Sequence, residues 1–303
     1  MPRLVARPLV FVAAKRSQYK KHVEDMHDPR ALALLQRHDP VVARWSDAHE
    51  SHTHTFSRVL EYLERLGARV VILSRPHAEF DATGAHLIVT VGGDGTLLAA
   101  SHNVHGPPII GVNSSPKHSV GYFCAANPKN LGTILKRAIE GDLACVRLTR
   151  MQVEINGRLM SRRVLNEALY SHVIPAATSR YILRCSRGKE EQHSSGFWIG
   201  PAAGSTGAQR SAGGRVLPLG SKQLQLVVRE PFNPPGRRVK LTRLQVRSGE
   251  TVHVQSKMDD AALFLDGPYK KIEVFLGDTV IFRASDEPLC VLGLDPRRGA
   301  RNG

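Results

Sequence analysis

Residues 87–102, LIVTVGGDGTLLAASH, constrain this chain more than any other stretch. Residues 87–91 read as a strand buried on both faces, and the run breaks at Gly92, Gly93, Asp94 and Gly95 before helical spacing resumes at Thr96. Glycines there allow positive φ and let a ligand approach the main chain, while the free N–H groups of a helix N-terminus attract phosphate. Asp94 interrupts them. A carboxylate beside phosphate is unfavourable unless it accepts a proton or holds a metal; the competing reading is that it caps the helix.

At 303 residues, 42% hydrophobic and 23% charged, the chain can bury a substantial core as one large domain or two ordinary ones. A net charge of +15 suits polyanionic partners and leaves nucleic acid, anionic membrane and nucleotide open. Cys124, Cys145, Cys185 and Cys290 are widely spaced with no C-x-x-C pair, so reduced and mostly buried thiols are expected. No run approaches the roughly 18 apolar residues of a membrane span. Arg3, Arg7, Lys15, Arg16, Lys20 and Lys21 precede the first acid, Glu24, as in a transit peptide. Residues 9–14 read better as a core strand, and the expected location is cytoplasmic.

Residues 16–49 read as helical with polar interruptions. His49, Glu50, His52 and His54 could suggest metal, but a solvated helix start without cysteine is preferred and no metal ligands are assigned. Thr55 opens an apolar stripe, Phe56, Val59, Leu60, Leu63 and Leu66, closed by Gly67. Strands are expected at 69–73 and 109–112, a polar loop at 113–119 and a helix over 128–140. This alternation predicts an α/β N-terminal domain with a parallel sheet, whose ligands gather at the carboxyl ends of the strands, where Asp94 lies. After Cys145 the pattern becomes alternation, with Asn156-Gly157 as a hairpin signal and short strands over 151–282. A mostly antiparallel all-β C-terminal domain follows, giving residues 1–148 and 149–303, with 295–303 expected to be disordered.

Three further stretches are polar where a plain β-domain needs no polarity. Asn166 and Glu167 end a strand and could hydrogen-bond a ribose or a base edge, or merely form a turn. Residues 204–214 are rich in small and hydroxyl side chains and suit close approach to a flat ligand as well as a flexible surface loop. Leu265, Asp266 and Gly267 are most simply a hairpin turn.

Taken together, GGDGT at 92–96, IIGVN at 109–113, LNEA at 165–168, SSG and GSTGAQRSAGG within 194–214, and LDG at 265–267 resemble the NAD kinases in order and spacing. The resemblance covers residues 9–282, and VREP at 228–231 with the 111–124 stretch is similar to the mitochondrial-type branch. GGDGT alone is shared with diacylglycerol and sphingosine kinases. The resemblance implies transfer of the γ-phosphoryl of ATP, with Mg²⁺, to the 2′-hydroxyl of the adenosine ribose of NAD, in a homo-oligomer, a dimer being favoured. It implies Asp94 as general base, with positioning and charge neutralisation doing most of the catalysis. Gly92, Gly93, Gly95, Thr96, Asn113, Asn166, Glu167, Ser195, Thr206 and Ser211 are implied at the nucleotide and dinucleotide sites. Departures fall on dinucleotide recognition: Ser195 stands where common members have Asp, Ala202 and Ala203 replace a Pro-Thr, Ala208 an aromatic and Ala177 a basic residue, with Arg180 nearby. NADH is therefore an open acceptor. A lipid kinase docked by the basic surface and a non-catalytic dinucleotide-binding regulator are the alternatives; neither nucleic-acid binding nor stable membrane insertion is expected.

Overall fold

A computed structural model describes residues 7–73, 79–236 and 238–298. It divides into two compact units, Met1–Cys145 with Cys290–Leu294, and Val146–Leu289 with Asp295–Gly303. The chain thus returns to the first unit near its end, which a linear division at residue 148 does not anticipate. Of the tail expected to be disordered, 299–303 lie outside the described residues, while the Arg298 N–H donates to the Asp295 carbonyl at 3.0 Å in a turn.

The elements up to the boundary are β1 (Leu9–Ala14), α1 (Pro29–Gln36), α2 (Trp45–Arg65), β2 (Arg69–Leu73), β3 (Leu87–Gly92), α3 (Asp94–Ser101), β4 (Ile109–Asn113), β5 (Cys124–Ala126) and α4 (Leu131–Glu140), with β6 (Cys145–Leu148) at the boundary itself. β1 pairs in parallel with β2 and β3, and β3 with β4. Every residue of β3 and β4 is buried, as an unbroken apolar run demands of a central parallel strand. Val59 and Leu63 of α2 and Leu131 and Leu135 of α4 pack against the sheet in one core. The carboxyl ends of β1, β3 and β4 are stitched together where their strands stop: the Lys15 N–H donates to the Val91 carbonyl and the Ser114 N–H to the Gly92 carbonyl, each at 2.9 Å.

Helix α2 begins at Trp45, a few residues before the His-rich segment read as a solvated helix start, so that segment lies inside it, with His52 buried. Tertiary contact extends it: the His52 Nδ1 sits 3.0 Å from the Ser114 Oγ, and burial, then the Lys15 charge, pushes the His52 imidazole down to about 4.

The second unit holds β7 (Met151–Ile155), β8 (Arg158–Val164), β9 (Ala168–His172), β10 (Ser179–Cys185), β11 (Gly188–Ser194), β12 (Phe197–Pro201), α5 (Ala208–Ser211), β13 (Leu224–Val228), β14 (Arg243–Val246), β15 (Thr251–Ser256), β16 (Ala261–Leu265), β17 (Lys270–Val274) and β18 (Thr279–Ala284). They form two six-stranded sheets, β11-β10-β15-β18-β7-β8 and β14-β13-β12-β9-β16-β17. Tyr170, Tyr181, Phe197 and Phe282 stack and tilt against one another in the core. The Asn156-Gly157 hairpin joins β7 to β8, pairing Ile155 with Arg158. The polar β11 is an edge strand held by one neighbour, and the face it buries carries the polar Gln192 and Ser194 rather than apolar side chains.

A last strand, β19 (Leu289–Leu292), joins the first sheet between β4 and β6. Cys290 is paired there with Cys145 as a disulfide, Cα atoms 5.5 Å apart, and Cys124 and Cys185 are half-buried thiols outside this bond. This corrects the expectation of four reduced thiols. The partners are 145 residues apart in the chain and meet only through the sheet.

Candidate functional site

At the Gly-rich turn, none of Gly92, Gly93 and Gly95 takes a positive φ. Glycine is required at Gly92 for closeness instead: a Cβ there would lie 2.2 Å from the Thr96 Oγ1 and 3.1 Å from the Lys15 Cβ. One at Gly93 would meet the Ser119 Oγ at 2.4 Å, whereas nothing lies within 4 Å of one at Gly95. The main chain at Gly95 is therefore open to an incoming group. Thr96 is buried against Gly92, behind the turn.

Asp94 is the first residue of α3, but its carboxylate does not cap that helix. It accepts from the Phe123 N–H at 2.7 Å through Oδ1 and from the Tyr122 N–H at 2.9 Å through Oδ2. These two bonds fix the carboxylate plane and leave each oxygen a lone pair for a proton or a cation. Asn113, at the end of β4, holds the same loop: its Nδ2 donates to the Ser119 carbonyl at 2.9 Å and its Oδ1 accepts from the Ser115 N–H at 3.2 Å. Asn113 is buried, so it shapes the loop that aims Asp94.

In the second unit, Asn166 and Glu167 lie between β8 and β9. Asp266 is what folds this turn. Its Oδ2 accepts from the Leu165 N–H at 2.8 Å and its Oδ1 from the Asn166 and Glu167 N–H groups at 2.6 and 3.1 Å. Its own N–H donates to the Glu167 carbonyl at 2.9 Å. LDG is the hairpin turn of β16 and β17 that the sequence predicts, and it is also a carboxylate anchor reaching a turn about a hundred residues earlier; spacing carries no signal of that. Behind it the buried Arg150, pushed down to about 10 by burial and by Arg163, feels the opposite charges of Glu287 and Asp266.

Burial, then the Asp266 charge, pushes the Glu167 carboxyl up to about 7. Its Oε2 is buried without a hydrogen-bond partner, and the residue lines a largely apolar cavity of about 450 Å³ with Ser195, Trp198 and Arg229. The cavity also takes in Ala177. The Ser195 hydroxyl donates to the Glu230 carboxylate, and the Arg229 guanidinium donates to the Ser195 carbonyl at 3.1 Å while lying 5.8 Å from the Trp198 ring centre. Trp198 was not singled out in the sequence. Arg229 and Glu230 had a signal only as part of VREP.

The Gly-Ser-Thr segment is not a flexible surface loop. Residues Ala202–Thr206 form a 3-10 turn whose Ala202, Ala203, Gly204 and Ser205 are buried. A Cβ on Gly204 would fall 1.8 Å from the Asn166 carbonyl oxygen, so only glycine lets the two segments touch. Thr206 ends the turn half-exposed, and the exposed Ser211 lies with Ala208 in a separate depression beside Trp198 and Arg229. The structure thus gathers Asp94, Gly92, Gly93, Thr96 and Asn113 in the first unit, and Asn166, Glu167 and Ser195 in the second, with Thr206 and Ser211 apart from that cavity.

Comparison with known proteins identifies the relatives of this chain. Residues 4–143 match a family profile described as the ATP-NAD kinase N-terminal domain. The chain is 31% identical over 299 residues to a probable NADH kinase of Oryza sativa subsp. japonica, covering 88% of this chain and 92% of that protein. Its fold is similar to an NAD kinase from Archaeoglobus fulgidus solved in complex with ATP, with a TM-score of 0.66 and 23% identity over 97% of this chain and 96% of that one. It is similar also to yeast NADH kinase complexed with NADH, with a TM-score of 0.69 and 14% identity over 98% and 87% of the two chains.

Proposed function

The chain belongs to the NAD kinase family and is an enzyme that phosphorylates NAD(H) to NADP(H), and on that premise we propose that Asp94 is its general base. Asp94 draws the proton from the 2′-hydroxyl of the adenosine ribose as that oxygen attacks the γ-phosphoryl of ATP. The observation that carries this reading is the carboxylate held by the Tyr122 and Phe123 N–H groups at the carboxyl end of β3. Those bonds restrict the carboxylate to one plane before substrate arrives, so little reorganisation remains for the reaction. The open face at Gly95 and the N-terminal N–H groups of α3 receive the phosphate being transferred.

Mg²⁺ fits this site as a passenger on the donor. Among the described residues no group of three His, Cys, Asp or Glu side chains could hold a metal, while Asp94 has lone pairs to spare. Magnesium commonly takes one or two carboxylates plus substrate phosphates and waters, and when bound it would neutralise the charge developing on the phosphoryl oxygens.

Asn166 and Glu167 are read as the seat of the dinucleotide ribose, and the Ser195 side of the cavity as the nicotinamide end. With Ser195 in place of an acid, and with the Glu230 carboxylate that its hydroxyl meets offset by the neighbouring Arg229, that end carries no net negative charge for a cationic nicotinamide. NADH, whose dihydronicotinamide is neutral, is accepted there as readily as NAD. The homo-oligomer that the resemblance implies is a proposal of the same kind, read by sedimentation velocity. A lipid kinase would share only the Gly-rich turn, whereas the likeness to the rice relative spans 88% of this chain.

The test is NADP(H) formation by the purified chain with ATP, Mg²⁺ and NAD or NADH, beside Asp94→Asn. The variant keeps one of the two backbone bonds, so it folds with a loss of about 1 to 2 kcal/mol, and turnover falls at least a hundredfold, roughly what a positioned base contributes. Retained turnover would remove Asp94 from the role.

A further inference from the structure

The first unit contains a second feature that the general-base reading leaves unused. A cavity of about 670 Å³ opens at the carboxyl ends of β1 and β2, walled by Phe56 and Ile72 and entered by the cations Lys15, Arg16 and Lys20. Two of these are already neutralised. Arg16 pairs with Asp25 at 2.5 Å and Lys20 with Glu24 at 3.1 Å, while Glu24 also meets the His49 Nε2 at 3.1 Å. Lys15 has no carboxylate within ion-pair distance among the described residues, although it is more than half buried and burial holds its ammonium below the usual lysine range. Desolvating a cation without a counter-charge is unfavourable, and a site that tolerates it is arranged for an anion that arrives later.

The position of Lys15 says which anion. It follows Ala14, which registers with Val91, so Lys15 stands beside Gly92 at the neighbouring strand end, and its Cβ lies 3.1 Å from where a Cβ on Gly92 would fall. One lysine therefore joins the cavity to the Gly-rich turn. An ammonium on a flexible stem is a point charge suited to a phosphate chain, with no fork geometry to satisfy.

We propose that Lys15 grips the phosphate chain of the phosphoryl donor, with the cavity between β1, β2 and α2 holding the rest of the donor. The proposal rests on the kinase reading above. The apolar wall of Phe56 and Ile72 suits a nucleoside better than bare polyphosphate.

The experiment measures initial rates of the full chain with Mg·ATP varied at saturating NADH, for the native protein, Lys15→Met and Lys15→Arg, with inorganic tripolyphosphate as competitor. Lys15→Met raises the KM for ATP about tenfold or more, the worth of one charge-assisted hydrogen bond, and leaves the KM for NADH within about twofold. Tripolyphosphate inhibition weakens by a similar factor, and Lys15→Arg recovers part of both. Tripolyphosphate acting as a donor by itself would transfer the assignment from the nucleotide to polyphosphate and overturn the nucleoside part. Because a variant could misfold, acylation of Lys15 in the native chain is followed by mass spectrometry: ATP slows it and NADH does not. An unchanged KM for ATP in Lys15→Met, or acylation indifferent to ATP, overturns the proposal. Loss of turnover in Asp94→Asn with ATP protection of Lys15 intact separates the two roles, and protection in a native chain that makes no NADP(H) would fail the kinase reading while upholding this one.

Discussion

Replacing Glu167 by Gln separates what the cavity needs for folding from what it needs for binding. A carboxyl raised from the usual 4.5 to about 7 is one whose charged form the folded protein resists, through burial first and the Asp266 charge second. Folding therefore takes up a proton between those values. The stability tied to Glu167 is fully present below pH 4.5 and is lost as pH rises through 7. At 1.36 kcal/mol for each tenfold change in proton affinity the loss amounts to about 1 kcal/mol at pH 5 and about 3 kcal/mol at pH 8. Glutamine has the same shape and no charge to resist. Glu167→Gln should therefore gain about 2 kcal/mol more over the native chain at pH 8 than at pH 5, and any cost of its unpaired amide cancels in that difference. The assay is urea unfolding of the full chain at both pH values. The chain has two tryptophans, so a Trp45→Phe background leaves Trp198, which lines the same cavity, as the only indole reporting on the second unit. The same variant should raise the KM for the dinucleotide, a gain in stability where function is lost. Parallel stability curves for the two proteins across pH 5 to 8 would refute a desolvated Glu167.

Gly204→Ala puts a methyl group 1.8 Å from the Asn166 carbonyl oxygen and 2.5 Å from its carbon, both backbone atoms that cannot swing aside. A loss of about 2 to 3 kcal/mol is expected by thermal or urea unfolding, together with a raised KM for the dinucleotide and a KM for ATP that stays put. Ser195→Asp adds a negative charge to the nicotinamide side of the cavity. It should move the ratio of kcat/KM values for NAD over NADH upward by about fivefold, from roughly 1 kcal/mol between unit charges 4 Å apart in water. The Glu230 carboxylate that now accepts from the Ser195 hydroxyl opposes the change, so no shift at pH 8 would mean that the nicotinamide does not lie there.

The parts of this protein that local chemistry dictates were readable directly. An apolar run, a Gly-rich break and renewed helical spacing leave residues 87–101 few options besides β3, a tight turn and α3, and Asn156-Gly157 between alternating segments could only close a hairpin. The reading of the His-rich segment as a solvated helix start misses that His52 is buried, because its contact with Ser114 lies 62 positions away in the chain. Edge strand β11 has no apolar side chain and the apolar β19 is only four residues long, so neither stands out in the sequence.

By itself the sequence determined which residues could do the chemistry: an acid among glycines, an amide beside a carboxyl, a buried strand ending at each. Tertiary structure alone decided what each of them is. Asp94 became an oriented acceptor rather than a cap because the Tyr122 and Phe123 N–H groups, 28 and 29 positions on, close over it. Glu167 acquired its raised proton affinity because the fold buries it and sets the charge of Asp266, 99 positions away, beside it, and Lys15 reached the Gly-rich turn because β1 and β3 are neighbours in the sheet. Backbone preference and periodicity act over a few residues and are written in the order of the chain. Burial and charge proximity act through space, and they come into being only when the core has packed.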